Sequence, residues 1–223
     1  MRQLKVLLTG GSKGIGLATA ELFRKNGYEV VTPSHAELDL SDRNSVLVYI
    51  DAHQLEGFDI LINNAGNNII NQIDQVRLED MDQMMSVNLL APILLARGFV
   101  GAMKKNKFGR IVNVGSIWGK VSKPGRAIYS VTKNGIHGLT QTLASELAPY
   151  NIMVNTVCPG FTLTELTRRT NTPAQIETIA AMIPAQRMAQ PEEIAKVIFF
   201  AGNAENTYMT GQKIMVDGGY TSI

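Results

Sequence analysis

A chain of 223 residues, 45% of them hydrophobic, has enough apolar surface for a substantial core, and one domain spanning residues 1–223 is expected. The 21 Lys and Arg against 19 Asp and Glu leave a net charge of +2, with no long basic block and no array of aromatics suited to stacking bases, so nucleic acid is excluded as an expected partner. The single cysteine, Cys158, has no internal disulfide partner, no apolar run approaches the roughly 20 residues of a membrane span, and the start MRQLKVLLTG leads into a strand instead of a signal peptide; a soluble cytoplasmic protein without a membrane partner is the expectation.

Strand-length apolar runs alternate with helical stretches along the chain. Leu4 to Leu8, Glu29 to Thr32, Ile60 to Ile62, Arg110 to Val114, Met153 to Val157 and Lys213 to Val216 read as strands. Gly14 to Asn26, stopped by Gly27, and the segments Glu79 to Lys104 and Tyr129 to Pro149 read as helices. The alternation predicts an α/β fold, a parallel sheet with helices on both faces, and ligands of such sheets bind beyond the carboxyl ends of the strands.

Directly after the first strand stands Thr9-Gly10-Gly11-Ser12-Lys13-Gly14-Ile15-Gly16, opening a helix. Glycines at 10, 14 and 16 allow a tight turn, close backbone approach to a pyrophosphate and close helix packing, while the helix start offers unpaired N–H groups. A plain strand-to-helix turn is the alternative, but the place in the first βα unit and the lack of a Gly-Lys-Ser/Thr ending favour a dinucleotide over ATP. Further on, Pro92 lies four residues after Asn88 in a helical segment, so the Asn88 carbonyl receives no N–H there and a kink is expected. Such a carbonyl suits an ordered water in a proton relay; a simple packing kink is the plainer reading.

Ser116 falls just past the strand Arg110 to Val114, where a substrate oxygen would lie, although a helix or turn cap is its ordinary use. Tyr129 and Lys133, four apart on a helix, project from one face. A free phenol near pKa ~10 is too weak an acid at neutral pH, and a neighbouring ammonium would lower it. The pair by itself is a chance-level match; Ser116 gives it weight, because a serine hydroxyl there can donate to a carbonyl oxygen while the tyrosine moves the proton.

These ordered motifs resemble the short-chain dehydrogenase/reductase family, of the single-domain type that includes 3-oxoacyl-carrier-protein reductases, over almost the whole chain. Thr9 to Gly16 resembles the cofactor turn, placing Gly10, Ser12, Lys13, Gly14, Ile15 and Gly16 at the dinucleotide; Asn63-Asn64-Ala65-Gly66 resembles the fourth-strand motif; and Asn88, Ser116, Tyr129 and Lys133 resemble the catalytic tetrad. The resemblance implies a doubly wound Rossmann-type sheet and hydride transfer between a nicotinamide and a ketone or secondary alcohol. Tyr129 would be the acid/base. Lys133 would hold the ribose and depress the tyrosine pKa, Ser116 would orient the substrate oxygen, and Asn88 would anchor the relay water. Asn64, Ala65 and Gly66 would approach the central riboses, and Thr162 and Thr164, after Pro159-Gly160, the carboxamide end. No metal site is expected, and Cys158 reads as a buried small apolar residue.

The chain departs from the family pattern between its second and third strands. Only Pro33 to Glu37 separate Thr32 from Leu38-Asp39-Leu40, too few for a crossover helix, so the fold should be abbreviated at that edge, with no helix over residues 33–38 and no regular third strand. No acidic residue directly ends the second strand to take a ribose 2′-OH; Lys13, Ser34 and His35 offer donors for a 2′-phosphate, so NADP(H) is preferred and NAD(H) is the alternative, with Glu37 the residue that could reverse the choice. By the resemblance, Asp39 and Leu40 would flank adenine.

The substrate, a small-molecule carbonyl or alcohol, is poorly specified: Lys123 and Arg126, near Trp118, could attract an anion, yet charged loop residues are ordinarily solvated. A homotetramer is implied by resemblance, through Leu89 to Lys104, Tyr129 to Pro149 and the strand around Met215. Two other functions stand beside the reductase: a non-catalytic cofactor sensor or scaffold, and a nucleotide-sugar-modifying enzyme, for which the roughly 60 residues after Pro159 leave little room.

Overall fold

The computed structural model describes residues 2–222. In it the predicted apolar runs become strands and the intervening amphipathic stretches become helices: β1 (Lys5–Leu8), α1 (Gly14–Lys25), β2 (Glu29–Val31), α2 (Arg43–His53), β3 (Ile60–Asn63), α3 (Leu78–Met85), α4 (Ala91–Asn106), β4 (Gly109–Val114), α5 (Ala127–Leu147), β5 (Ile152–Pro159), α6 (Glu165–Thr170), α7 (Pro173–Ala181), α8 (Pro191–Gly202) and β6 (Lys213–Val216). The six strands form one sheet in the order β2-β1-β3-β4-β5-β6, every neighbouring pair parallel. This is the doubly wound arrangement, with the order reversing between β1 and β3.

The strands show why helices must cover both faces. Leu7, Leu61, Ile111 and Val154 point into one core with Leu95, Phe99 and Met103 of α4, while Val6, Leu8, Ile60, Ile62, Val112 and Val157 point into the other with Phe23 of α1 and Ile194 and Ile198 of α8. Successive side chains of a strand face opposite ways, so an apolar residue at every position needs two layers of cover. Cutting Phe99 to alanine is expected to cost about 3–5 kcal/mol, the usual range for emptying a fully packed aromatic site.

The edge after β2 has the predicted brevity. No strand forms between β2 and α2; residues 34–38 make one turn, in which the Ser34 carbonyl accepts from the N–H of Glu37 (3.2 Å) and of Leu38 (3.0 Å). Leu38 nevertheless drops into the core, joining Val46 and Tyr49 of α2. The crossover helix α2 begins only at Arg43, with the Asp42 side chain capping it through the N–H of Asn44 and Ser45.

The predicted kink takes the form of a π-turn. Ser86–Leu90 is wound wider than an α-helix, and the Ala91 N–H reaches back five residues to the Ser86 carbonyl. Pro92, with no N–H to give Asn88, is the local cause. Because this turn joins α3 to α4 without a break, Leu78–Asn106 is 29 residues of continuous helix, long and apolar enough by length and composition to cross a membrane. That corrects the expectation that no apolar run approaches spanning length; here the run packs Leu95, Phe99 and Met103 into the sheet's core.

Candidate active site

Four loops at the carboxyl ends of β1, β3, β4 and β5 build the site. The first is the glycine turn, where Gly10 has φ +69° and Gly14 φ +55°, the left-handed region that side chains avoid. Space is as limiting as torsion: a Cβ on Gly16 would lie 2.0 Å from the Gly10 carbonyl oxygen, and one on Gly10 would lie 3.0 Å from Ala65 Cα. Lys13 precedes α1 in extended conformation with no side-chain cap, so the first N–H groups of the helix are left for a ligand.

The loop after β3 is clamped to this turn. Asn64 Nδ2 donates to the carbonyls of Thr9 and Gly10, both at 3.0 Å, and Thr9 Oγ1 accepts from the N–H of Asn64 and Ala65, both at 3.1 Å. The side chain of Asn64 therefore holds the glycine turn; Ala65 and Gly66 are the ones that face the cleft. That cleft, of about 420 Å³, is also lined by Gly10, Ser12, Ser34, His35, Asp39 and Leu40. Of the remaining residues expected at the dinucleotide, Lys13, Gly14, Ile15 and Gly16 sit in the turn and first helical turn, outside the cleft's lining. Glu37 is tied back into its own turn: its carboxylate accepts the Ser34 N–H at 2.7 Å, which holds it below the usual carboxylate range. Asp39 likewise accepts from the N–H and hydroxyl of Ser41, and faces His35 at 3.7 Å.

At the other end, three elements converge on Lys133. A Cβ on Gly66 would lie 3.2 Å from Asn88 Oδ1 and 3.5 Å from Lys133 Nζ, so the absence of a side chain lets the β3 loop pass between them. Asn88, 2% exposed, fixes that loop by donating from Nδ2 to the Asn67 carbonyl (2.8 Å) and accepting the Asn67 N–H (2.9 Å) at Oδ1. Lys133 Nζ donates to the Val114 carbonyl at 2.8 Å, and burial lowers its pKa to about 8. Nζ lies 5.6 Å from the Tyr129 ring centre, as the four-residue spacing on α5 requires.

Ser116 has the capping use that the sequence allowed. Its Oγ accepts the Trp118 N–H at 3.2 Å, capping the short 3₁₀ turn Ile117–Gly119, and it stands close enough to Tyr129 to act on the phenol's pKa. Gly119 makes this proximity possible: a Cβ there would lie 2.8 Å from the Lys133 carbonyl oxygen. Burial raises the Tyr129 pKa, and the opposing pull comes first from Ser116 and then from the Arg126 cation, where the sequence pointed to Lys133. Tyr129 is in the first turn of α5, which starts two residues earlier than expected.

The loop after β5 closes the circle. Pro159 pairs with Val216 of β6, and the Gly160 N–H donates to the Val216 carbonyl at 2.9 Å. A Cβ on Gly14 would lie 3.3 Å from Thr164 Cγ2, so this loop packs on the glycine turn. The hydroxyls of Thr162 and Thr164 bond within their own loop, to the Gly160 carbonyl (3.2 Å) and the Thr167 N–H (3.2 Å). Cys158 is a free, buried thiol, raised by burial; a Cβ on Gly115 would lie 2.6 Å from its sulfur.

Sequence reasoning included Thr9 in the glycine turn without its clamping role, and it missed Asn67, which carries no signal beyond flanking a motif, and Tyr220, whose ring meets Phe161 at 5.2 Å and Trp118 at 6.3 Å. Of its two readings of Arg126, an attractor of anions or a solvated loop charge, the solvated one is wrong, because the residue is buried.

A family model described as Enoyl-(Acyl carrier protein) reductase matches residues 32–221. The 3-oxoacyl-(acyl-carrier-protein) reductase FabG of Vibrio cholerae is 34% identical over 233 residues, covering 96% of this chain and 95% of that protein. The reductase of the same name from Thermotoga maritima is 35% identical, with 96% of each chain covered. Among solved structures, ElxO with NADP bound superposes with a TM-score of 0.91 at 29% identity over 100% of both chains. A gluconate 5-dehydrogenase from Burkholderia cenocepacia, in complex with NADP and tartrate, gives 0.87 at 27% identity, covering 100% of this chain and 97% of that one. With the geometry above, these likenesses establish that the chain belongs to the short-chain dehydrogenase/reductase family of NAD(P)-dependent oxidoreductases.

Proposed function

We propose that the chain is an NADP(H)-dependent carbonyl reductase or alcohol dehydrogenase for a small-molecule ketone or secondary alcohol, with residues 1–223 acting as one catalytic domain. The observation that carries this reading is the meeting of Ser116, Tyr129, Lys133 and Asn88 beside the glycine-turn cleft. A nicotinamide held in the cleft would supply or accept the hydride. Tyr129 Oη gives a proton to the carbonyl oxygen in reduction and takes it back in oxidation. Because Ser116 Oγ already accepts from the Trp118 N–H, its own proton is directed outward, toward Tyr129 or a substrate oxygen. Lys133 spends one N–H on Val114 and keeps two, for the ribose and a relay water near Asn88.

Gly10, Gly14 and Gly16 admit the pyrophosphate at the start of α1, Ala65 and Gly66 the riboses, and Pro159, Gly160, Thr162 and Thr164 the carboxamide end. Lys13, Ser34 and His35 are the donors for a 2′-phosphate, and Glu37, held in its turn, is the weaker candidate for a ribose hydroxyl. The NADP in the two solved neighbours supports the same choice over NAD(H). Exposed Leu90, beside α4, and Val131 of α5 suit the faces of a homotetramer, and a cytoplasmic location without membrane or nucleic-acid partners completes the reading.

The test is to follow NADPH absorbance with a panel of ketones that includes an acetoacetyl thioester, the class named by the curated relatives. Turnover with NADPH well above NADH is expected. Tight NADPH binding without turnover on any ketone would favour the cofactor sensor instead.

A further inference from the structure

Beyond the pull of its charge on Tyr129, Arg126 has no role in the site as described. Its side chain is 9% exposed, it makes no side-chain hydrogen bond or ion pair among the described residues, and its Nε is buried without a partner. A buried guanidinium nitrogen left without a partner is disfavoured, and native chains keep few such atoms. Its surroundings are those of the reaction: it directly precedes α5, three residues before Tyr129, whose phenol feels its charge. The guanidinium carbon lies 5.1 Å from the centre of the Trp118 ring, and exposed Lys123 places a second cation 5.3 Å from the same ring. Trp118 is itself fixed by its N–H bond to Ser116 and by edge contacts with Phe161 and Tyr220. Asp217, the acid nearest in sequence to Tyr220, spends its carboxylate on the N–H of Gly219 and the N–H and hydroxyl of Thr221.

We infer that Arg126 receives a carboxylate of the substrate, which makes this chain a reductase of oxo acids or, in reverse, a dehydrogenase of hydroxy acids. The inference rests on the carbonyl-reducing reading of Tyr129 and Ser116 given above. Arginine's planar fork pairs two N–H groups with the two oxygens of a carboxylate, and stacking on an indole face holds that plane. The arriving anion would give the orphaned Nε a partner and balance the guanidinium charge. Lys123, at the exposed side of the same ring, would draw the anion in.

Trp118, the chain's one tryptophan, lies under the guanidinium and gives a readout that does not depend on turnover. The experiment compares 2-oxo and 3-oxo acids with their methyl esters, using NADPH-dependent kcat/KM and, on the NADP⁺-loaded protein, Trp118 emission. The wild type should prefer the acids, and Arg126→Met should reduce the acid-to-ester ratio on the order of 30-fold, with Arg126→Lys keeping part of it. Acids but not esters should shift Trp118 emission saturably, and Arg126→Met should abolish the shift without lowering Tm. A ratio unchanged in Arg126→Met, or an equal fall for acid and ester as a role confined to Tyr129 would give, overturns the inference. Turnover without charge preference would leave the reductase standing and remove the carboxylate. An emission shift without turnover would keep the carboxylate site and sink the reductase.

Discussion

The two ends of the cleft are built to different standards. At the proposed chemical end Asn88, Ser116 and Lys133 are all buried, Asn88 and Lys133 are tied to backbone from another segment and Ser116 to the turn it caps, and the elements come close at two glycines, Gly66 and Gly119. At the adenosine end Ser34, His35 and Glu37 are exposed on a single turn that follows a strand of three residues. The difference teaches which properties the fold constrains. Proton transfer needs groups held within hydrogen-bond reach, so it is built into packed elements. Recognition of a ribose hydroxyl or phosphate needs only donors at an edge, so it tolerates a shortened, solvated loop.

Substitutions at each end break or sharpen this contrast. Ser116→Ala should have the largest of these effects, lowering kcat by about 10²–10³-fold, the usual cost of removing a donor aimed at a developing oxyanion. Loss of the Trp118 cap alone would appear as a small fall in Tm with kcat preserved, and that result would return Ser116 to a purely structural role. The pH dependence comes next. Lys133 is buried and its pKa is lowered to about 8, so its positive charge is present at neutral pH and lost as pH rises through about 8. Reductive turnover should therefore fall across that range, by up to about tenfold per unit, and Lys133→Arg, which stays protonated, should move the alkaline limb upward. A limb that Lys133→Arg leaves in place belongs to another group. The smallest effect belongs to the adenosine end: Glu37→Gln keeps an acceptor for the Ser34 N–H and removes an exposed charge, so the NADPH-to-NADH preference should rise about 5-fold or less. Kd measurements for both cofactors decide this, and a change of preference toward NADH would show that Glu37 does not act as described.

The same contrast governs what could be read from sequence. Alternating apolar strands and glycine spacing announce the sheet and the phosphate turn because backbone geometry forces those residue types. Pro92 announced the irregular helix at Asn88 because a missing N–H leaves no alternative, although a proline cannot say whether the helix kinks sharply or widens into a π-turn. It also hid the length of the helix, which continues through that turn. The short span between the second strand and Leu38 announced, by count alone, that no helix forms over residues 33–38 and no regular strand at Leu38–Leu40. Asn64 was assigned a cofactor face, yet its amide is drawn inward by the carbonyls of Thr9 and Gly10, a choice set by tertiary contact. The burial of Arg126 was illegible for a like reason. Its neighbours Lys123, Pro124 and Gly125 read as an exposed loop, and its burial depends on Trp118, which packs against Phe161 and Tyr220 from the far end of the chain.

The central claim is that Tyr129 moves the proton at a site where binding and chemistry are separately built. Its most direct test is Tyr129→Phe, with NADPH affinity and ketone reduction measured on the same preparation. Turnover is expected to fall by about 10²–10⁴-fold while the NADPH Kd stays within a few-fold of wild type. Reduction that continues at the wild-type rate in Tyr129→Phe would contradict the account.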